Sequence, residues 1–326
     1  MSSTSSSGSD AVRPAQARLT VGGLIRAATE TLRKSGSESA RLDAELLLGH
    51  VVRADRTTLL AAPGMPVGAD HAATFLTLVD RRVTGEPVAY IRGLKEFYGL
   101  VLSADSRALI PRPETELLVE LGLDRMRRSL TERPRPPGAP PFLAWDVATG
   151  SGAVCVALAV ESRRRGYSAD VRFRATDVST DAIALATENA VAHGVADVIE
   201  FVVADLADLP GAAPADLILA NLPYIPTDVV PKLPIAASFE PSLALDGGKD
   251  GLELIRRLLG QLQGVLTEAG TVLLEIGSEQ ADEVRAAGAG LFPSWEVTIH
   301  ADLAGQPRVA ELARPAPRPG PIAGAA

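Results

Sequence analysis

One cysteine in 326 residues excludes an internal disulfide. Cys155 lies within the apolar run AVCVALAV, where a thiol packs as a small hydrophobe and needs no chemistry. Aromatic residues are scarce, at 4%, and 32 basic side chains face 40 acidic ones for a net charge of −8. That balance argues against stable nucleic acid binding, which calls for a basic footprint and stacking rings. No run approaches the roughly 18 apolar residues of a membrane span. The opening MSSTSSSGSD has neither the basic nor the apolar region of a secretory signal, so a cytoplasmic protein with no membrane association is expected. A Gly-Lys-Ser/Thr triplet is missing as well, which excludes a P-loop. The four histidines fall in none of the strand-end motifs described below, and no metal site is expected.

What is present is a chain with room for about two domains, at roughly 100–200 residues each, and with 46% hydrophobic residues to build their cores. Residues 1–17, rich in Ser, and 314–326, rich in Pro, Gly and Ala, read as disordered tails. Residues 18–90 form a small helical domain. Thr20 is a candidate N-cap for a stripe of Val21, Leu24, Ile25, Ala28 and Leu32 at helical spacing, and Gly85 ends the last helix. The period changes over 91–110, around Gly93 and Gly99, as in a β-hairpin or extended connector. Pro113 then opens the helix of PRPETELLVELGLDRMRRSL, and the Pro-rich TERPRPPGAPP is a loop.

Beyond that loop, strand and helix patterns alternate. FLAWDVATG, VRFRATDV, IEFVVAD, ADLILANLPY and TVLLEIG read as strands, DGLELIRRLLGQLQGVLTEAG as a helix, and WEVTIHAD and RVAELA as a closing antiparallel pair. The class is α/β, with a doubly wound, mostly parallel sheet over 111–313. In such sheets ligands bind beyond the carboxyl ends of the strands.

Those ends carry the chemistry. DVATGSGAV makes a tight turn of small residues, with Gly150 and Gly152 but Cys155 where a dinucleotide fingerprint has its third glycine. Asp177 ends the second strand and can accept from two ribose hydroxyls; Asp205 ends the third and can accept from an adenine amino group. Each alone is also what a turn or a helix cap selects. Together they describe a nucleoside site without a phosphate cradle, which S-adenosylmethionine fits. At the fourth end stands Asn221-Leu222-Pro223-Tyr224. The Asn221 side-chain oxygen and the Leu222 carbonyl can hold a planar NH2 by two acceptors and aim its nitrogen at a methyl group. Tyr224 can pack on a planar amide or base, and Pro223 stiffens the loop. Arg112, Glu114 and Glu116 of PRPETE form a candidate active-site wall.

TGEPVAYIRGLKEFYG, LIPRPETELLVE, FEPSLALDGGKDGLELIRRLL, LLEIGSEQ and LAGQPRVAEL, in this order over about Thr20 to Leu312, resemble the protein N5-glutamine methyltransferase family that modifies peptide chain release factors. The resemblance implies a class I S-adenosylmethionine-dependent methyltransferase domain, preceded by a helical domain that helps bind the release factor. It implies cofactor contacts at Ala148, Thr149, Gly150, Ser151, Gly152, Asp177, Leu206 and Asn221, and a glutamine clamp at Asn221 to Tyr224. A monomer acting on the glutamine of a release factor's Gly-Gly-Gln motif is expected. Two positions depart from the family pattern: Ala148 where the turn usually starts with Gly, and Leu222 where the tetrapeptide usually has Pro. Asn-Leu-Pro-Tyr also occurs in ribosomal RNA adenine-N6 methyltransferases. A paralogue acting on another protein or a small-molecule amide, an adenine-N6 methyltransferase, and a non-catalytic binding domain therefore stay open as readings.

Overall fold

The structure, a computed structural model, describes residues 19–132, 135–136 and 138–315. The tails expected at 1–17 and 314–326 lie outside these residues, except for Arg314 and Pro315. The chain divides into two compact units: one ends at Gly93 and takes in Ile235–Phe239, and the other comprises Leu94–Pro234 and the chain from Glu240 onward. No helix among the described residues is long and apolar enough to cross a membrane.

The first unit is helical: α1 (Val21–Lys34), α2 (Ala40–Val52), α3 (Arg56–Ala61), α4 (Ala69–Val83) and α5 (Val88–Arg92). Thr20 caps α1 as its sequence suggests, its hydroxyl accepting from the Gly23 amide. The apolar stripe of α1 packs with Leu47, Leu48, Leu59 and Phe75 into one core. Asp43, buried within α2, accepts from the Ser37 and Ser39 hydroxyls and from Arg82 Nε at 2.7 Å, so its desolvation is compensated. Helix continues through α5, beyond Tyr90 where an extended connector was expected. Pro87 starts this last turn and Gly93, at φ 70°, stops it.

The second unit opens with a hairpin of β1 (Leu94–Phe97) and β2 (Leu100–Ser103), turning on Tyr98 and Gly99 at φ 49° and 71°. Two left-handed residues suit a two-residue hairpin turn. After α6 (Glu116–Glu132) come β3 (Phe142–Val147), α7 (Ala153–Arg164), β4 (Val171–Asp177), α8 (Thr180–Ala192), β5 (Ile199–Val203), β6 (Ala215–Ala220), α9 (Glu253–Gln261), β7 (Leu266–Glu275), α10 (Ala281–Leu291), β8 (Glu296–Ala301) and β9 (Pro307–Ala313). The seven-stranded sheet has the order β5-β4-β3-β6-β7-β9-β8. Its first five strands are parallel, and β9 runs antiparallel to both β7 and β8. This is the doubly wound α/β sheet read from the sequence, closed by the expected antiparallel pair.

Alternation along each strand sends side chains to two cores. Phe142, Ala144, Phe173, Leu217 and Leu219 pack with α6, α7 and the hairpin. Trp145, Val147, Ile218, Ala220, Val272 and Leu274 pack with Ile255, Leu258 and Leu259 of α9 and Val284 of α10. Two elements of this unit differ from the sequence expectation. The helix read through Gly270 stops at Gln261, because Gly264 takes φ 88° and the β-prone Leu266 and Thr267 then join the sheet. The helix α10 was not foreseen; ADEVRAAGAGL is built of small residues with little apolar period, and its Gly288 lets Leu312 and Val297 approach closely.

The fold carries order to the strand ends through buried polar links. Trp145 Nε1 donates to Thr176 Oγ1 at 2.9 Å, and that hydroxyl donates onward to the Leu206 carbonyl at 3.1 Å. One hydroxyl thus joins β3, β4 and the turn after β5. Thr176→Val keeps the shape and strands two buried partners. A loss of about 2 kcal/mol is expected from denaturant unfolding, the scale of buried polar groups left unmade; an unchanged midpoint would show that neither bond stabilises the sheet.

Candidate active site

Strand order reverses between β3 and β6, since the chain winds from β3 through β4 to β5 and then returns to β6 on the other side. That switch point leaves a crevice beyond the carboxyl ends of the strands. A cavity of about 350 Å³ occupies it, within the range of roughly 300–1,000 Å³ typical of small-molecule sites. Ala148, Thr149, Gly150, Ser151, Asp177, Asp205, Leu206, Asn221, Leu222 and Pro223 all line it.

The turn after β3 is held from three sides. Asp146 Oδ2 accepts from Thr149 Oγ1 at 2.6 Å and from the Cys155 amide at 3.2 Å. Asp177 Oδ2 accepts from the Gly150 amide at 2.9 Å, and Asn189 Nδ2 donates to the Ser151 carbonyl at 2.9 Å. Gly152 is not on the cavity lining. A Cβ there would fall 3.1 Å from Ala186 Cα, so Gly152 serves the close packing of α8 on the turn. The close-packing glycine sought at Cys155 stands three residues earlier.

Asp177 also accepts from the Ser179 amide with Oδ1, so each oxygen keeps a lone pair for a further donor. Asp205 is half exposed and pairs with Arg257 at 2.6 Å. Leu206 takes φ 57°, and the Thr176 hydroxyl holds its carbonyl.

The loop after β6 is clasped by the segment Leu245–Gly251. The Ile225 amide donates to the Leu245 carbonyl at 3.2 Å, and the Gly247 amide to the Ile225 carbonyl at 2.8 Å. A Cβ on Gly247 would lie 2.6 Å from the Pro223 carbonyl oxygen. Gln280 Nε2 donates to the Tyr224 and Gly251 carbonyls at 3.1 and 3.2 Å. Leu222 is buried among Trp145, Leu252 and Ile255, so its side chain anchors the loop. Tyr224 does not line the cavity; it stands beside it, partly buried.

The wall read from PRPETE is made differently. Arg112 lines the cavity with Pro111 and Thr115, whereas Glu114 and Glu116 do not. Glu116 accepts from the Tyr98 amide at 2.8 Å and so fixes the hairpin turn, and Glu114 is exposed. Arg112 is held by Glu240 at 2.5 Å, and Glu240 also accepts from the Ile110 amide.

Three carboxyls around these strand ends are desolvated. Burial pushes Asp146 up to about 7, with the Asp177 charge adding to it, and burial raises Asp177 as well. Burial also pushes Glu275, at the end of β7, up to about 7.

Comparison with known proteins places this geometry. Residues 23–93 match the PrmC N-terminal domain, and residues 127–226 match the RMKL-like methyltransferase domain. The chain is 35% identical to the release factor glutamine methyltransferase of Deinococcus radiodurans over 296 residues, covering 89% of this chain and 97% of that one. It is 38% identical to the protein of the same name from Neisseria gonorrhoeae over 275 residues, covering 84% and 93%. The chain belongs to the release factor glutamine methyltransferase family. Among solved structures, the catalytic domain of hMettl16 in complex with MAT2A 3′UTR hairpin 6 aligns with a TM-score of 0.50 at 15% identity, over 75% of this chain and 82% of that one, a likeness of fold alone.

Within this family member, sequence reasoning left four residues of the site without a role. Asp146, Thr115, Glu240 and Glu275 all lie inside motifs quoted above; Asp146 bonds within its own turn, whereas the buried contacts of Thr115 and Glu240 join segments far apart in the chain. An acid at a strand end, as in LLEIG, was the one signal that could have singled out Glu275.

Ala148 takes φ 56°, the left-handed region. A side chain there costs about 1–2 kcal/mol, against roughly 0.5–1 kcal/mol for the greater freedom of glycine when unfolded. Ala148→Gly is therefore expected to stabilise the protein by up to about 1 kcal/mol, read as a higher denaturant midpoint at unchanged slope. A loss of stability would show that the Ala148 methyl contributes packing that outweighs its strain.

Proposed function

We propose that this protein methylates the side-chain amide nitrogen, N5, of the glutamine in the Gly-Gly-Gln motif of a peptide chain release factor, using S-adenosylmethionine. The reading rests on one observation above all: Asn221, Leu222 and Pro223 share the wall of a single cavity with Asp177 and the Ala148–Ser151 turn. It is supported by family relatives that match almost end to end.

The residues present fit the cofactor. The small-residue turn admits a ligand close to backbone, and Asp177 has lone pairs for two ribose hydroxyls. Val178, Ala182 and Leu206 offer an apolar wall for a purine, with Asp205 at its edge. When bound, S-adenosylmethionine supplies an electrophilic methyl group on a sulfonium centre. The chain's own part is orientation. An amide nitrogen is a poor nucleophile because its lone pair is delocalised. Two acceptors, Asn221 Oδ1 and the Leu222 carbonyl, would hold both hydrogens of the glutamine NH2 and turn its lone pair toward the methyl. The nitrogen would gain one bond to the methyl carbon as the carbon–sulfur bond breaks with its electron pair going to sulfur, and would shed one proton to solvent. No strong base is required if that proton leaves after the new bond has formed. Tyr224 would pack on the planar amide at the mouth of the site. The substrate would be met in the cytoplasm by a monomeric enzyme without bound nucleic acid, and the helical first unit would help to grip the release factor.

Two variants separate binding from chemistry. Asp177→Ala is expected to weaken S-adenosylmethionine by about 1.5–3 kcal/mol in calorimetry, the scale of hydrogen bonds to a charged group. Asn221→Ala is expected to lower turnover at least about tenfold, with cofactor affinity little changed. Replacing the Gly-Gly-Gln glutamine by alanine should abolish labelling of the release factor. Labelling of RNA by the wild type, with none on the release factor, would sink the proposal.

A further inference from the structure

A carboxamide has two ends of nearly the same shape and opposite function: the oxygen accepts and the NH2 donates. The clamp proposed above works with only one of them facing the substrate. An inverted Asn221 would present NH2 to NH2. Sterics alone do not distinguish the two orientations, so the surrounding hydrogen-bond partners must.

The structure supplies such partners. Asn221 follows β6 and Glu275 ends β7, and these strands pair in parallel with Ala220 opposite Leu274. Asn221 and Glu275 are the residues that immediately follow this last pair. Thr115, from the turn Pro113–Thr115, completes the group. Asn221 Nδ2 donates to Thr115 Oγ1 at 3.0 Å. A hydroxyl that accepts in this way still has its own proton to give to an acceptor. Thr115 and Glu275 are buried, at 4% and 2% exposure, and Glu275 Oε2 has no hydrogen-bond partner among the described residues. An ionised carboxyl can only accept, so the Asn221 end that faces it is the NH2.

We propose that Glu275, acting with Thr115, is a positioning residue that fixes the NH2 end of Asn221 and thereby leaves Oδ1 for the substrate amide. This rests on the clamp reading and deepens it, adding a determinant of the clamp's polarity from a different strand. A buried acid with one oxygen lacking a partner is costly, and a positioning role accounts for why it is kept.

The arrangement is sensitive to pH. Burial pushes Glu275 up to about 7, opposed by the neighbouring Thr115 hydroxyl and Asn221 carboxamide, which favour the charged form. Glu114 raises it further and Arg308 lowers it. The Tyr224 phenol, itself raised by burial and by Glu275, and Arg112 beside it complete the charged and titratable surroundings. Below about 7 the carboxyl gains a proton, becomes a donor and can bond the Asn221 oxygen instead. Turnover should therefore rise with pH through about 7 and level off above it.

Two measurements test this. The side-chain NH2 signal of Asn221, assigned by its loss in Asn221→Ala, is followed by nitrogen-15 NMR in the wild type while pH is varied across about 7. A titration with that midpoint, absent from Glu275→Gln, is expected. A signal that does not titrate in the wild type overturns the proposal without recourse to any activity measurement or substrate. In rate assays with a release factor, Glu275→Gln should lose roughly tenfold or more in kcat and lose the pH limb. KM and cofactor affinity should stay within about twofold, and Glu275→Asp should recover part of the rate. Unchanged kcat in Glu275→Gln, or an equal loss in cofactor affinity, would also overturn it. An Asn221 signal that titrates as expected in an enzyme that leaves release factors unlabelled supports the positioning role while defeating the substrate assignment, so the two failures are distinct.

Discussion

The site depends on the pairing of β3 with β4 on one side and β6 on the other. Both pairings are parallel: Val147 lies opposite Thr176 and opposite Ala220. All three chains therefore leave the sheet at nearly the same level and in the same direction. The turn after β3, Asp177 and Asn221 meet because of this register, although they are separated by about 70 residues of sequence. A slip of one residue in either pair would send its side chains to the opposite face of the sheet. Trp145 resists such a slip. It is fully buried, Arg174 stacks over it at 4.8 Å, and its indole bond to Thr176 fixes the register of β3 against β4 from the side-chain layer.

The loop after β6 raises a different difficulty. Backbone leaving a sheet carries unpaired amides and carbonyls, and around the Tyr224–Ile225 stretch they are satisfied by contacts that need almost no side-chain volume. Gly247 and Gly251 press directly on Pro223 and Tyr224; a Cβ on Gly251 would overlap the Tyr224 carbonyl oxygen. Gln280 bonds that carbonyl, and its own Oε1 accepts from the Gly277 amide. The motifs DGGKDG and GSEQ are thus parts of one clasp around Pro223–Ile225, although nothing in their own composition points to a methyl acceptor.

This division explains how far the sequence could be read. Features set by local chemistry were legible: the Thr20 cap, the strand–helix alternation, the small-residue turn, and an Asn at the end of a strand followed by Pro. Features set by contact across the fold were not. The early end of α9 followed from β7 extending back to Leu266, which is decided by sheet pairing with Ala215. Glu116 belonged to an acidic stretch that looked like a wall, but its carboxylate is taken by the Tyr98 amide. Ala148 shows the limit most clearly. Its departure from glycine is visible in the sequence, but whether it carries strain turns on a φ of 56° that only the folded turn defines.

The electrostatics of the cavity then narrow what it can hold. Three arginines line it, and each is already paired with a carboxylate: Arg107 with Asp105 at 2.8 Å and Glu188 at 2.7 Å, Arg112 with Glu240 at 2.5 Å, and Arg257 with Asp205 at 2.6 Å. Asp146 and Asp177 face the same space with raised affinities for protons, held by backbone amides and a hydroxyl. A phosphate brought here would meet acids first and would have to compete for guanidinium groups that carboxylates already occupy. A ligand with hydroxyls and amino groups to donate meets acceptors on several sides. These pairings support the proposed reading of the cavity as a site for a neutral or cationic nucleoside rather than a nucleotide, on grounds of how its arginines are neutralised that the net charge of the chain alone would not reveal.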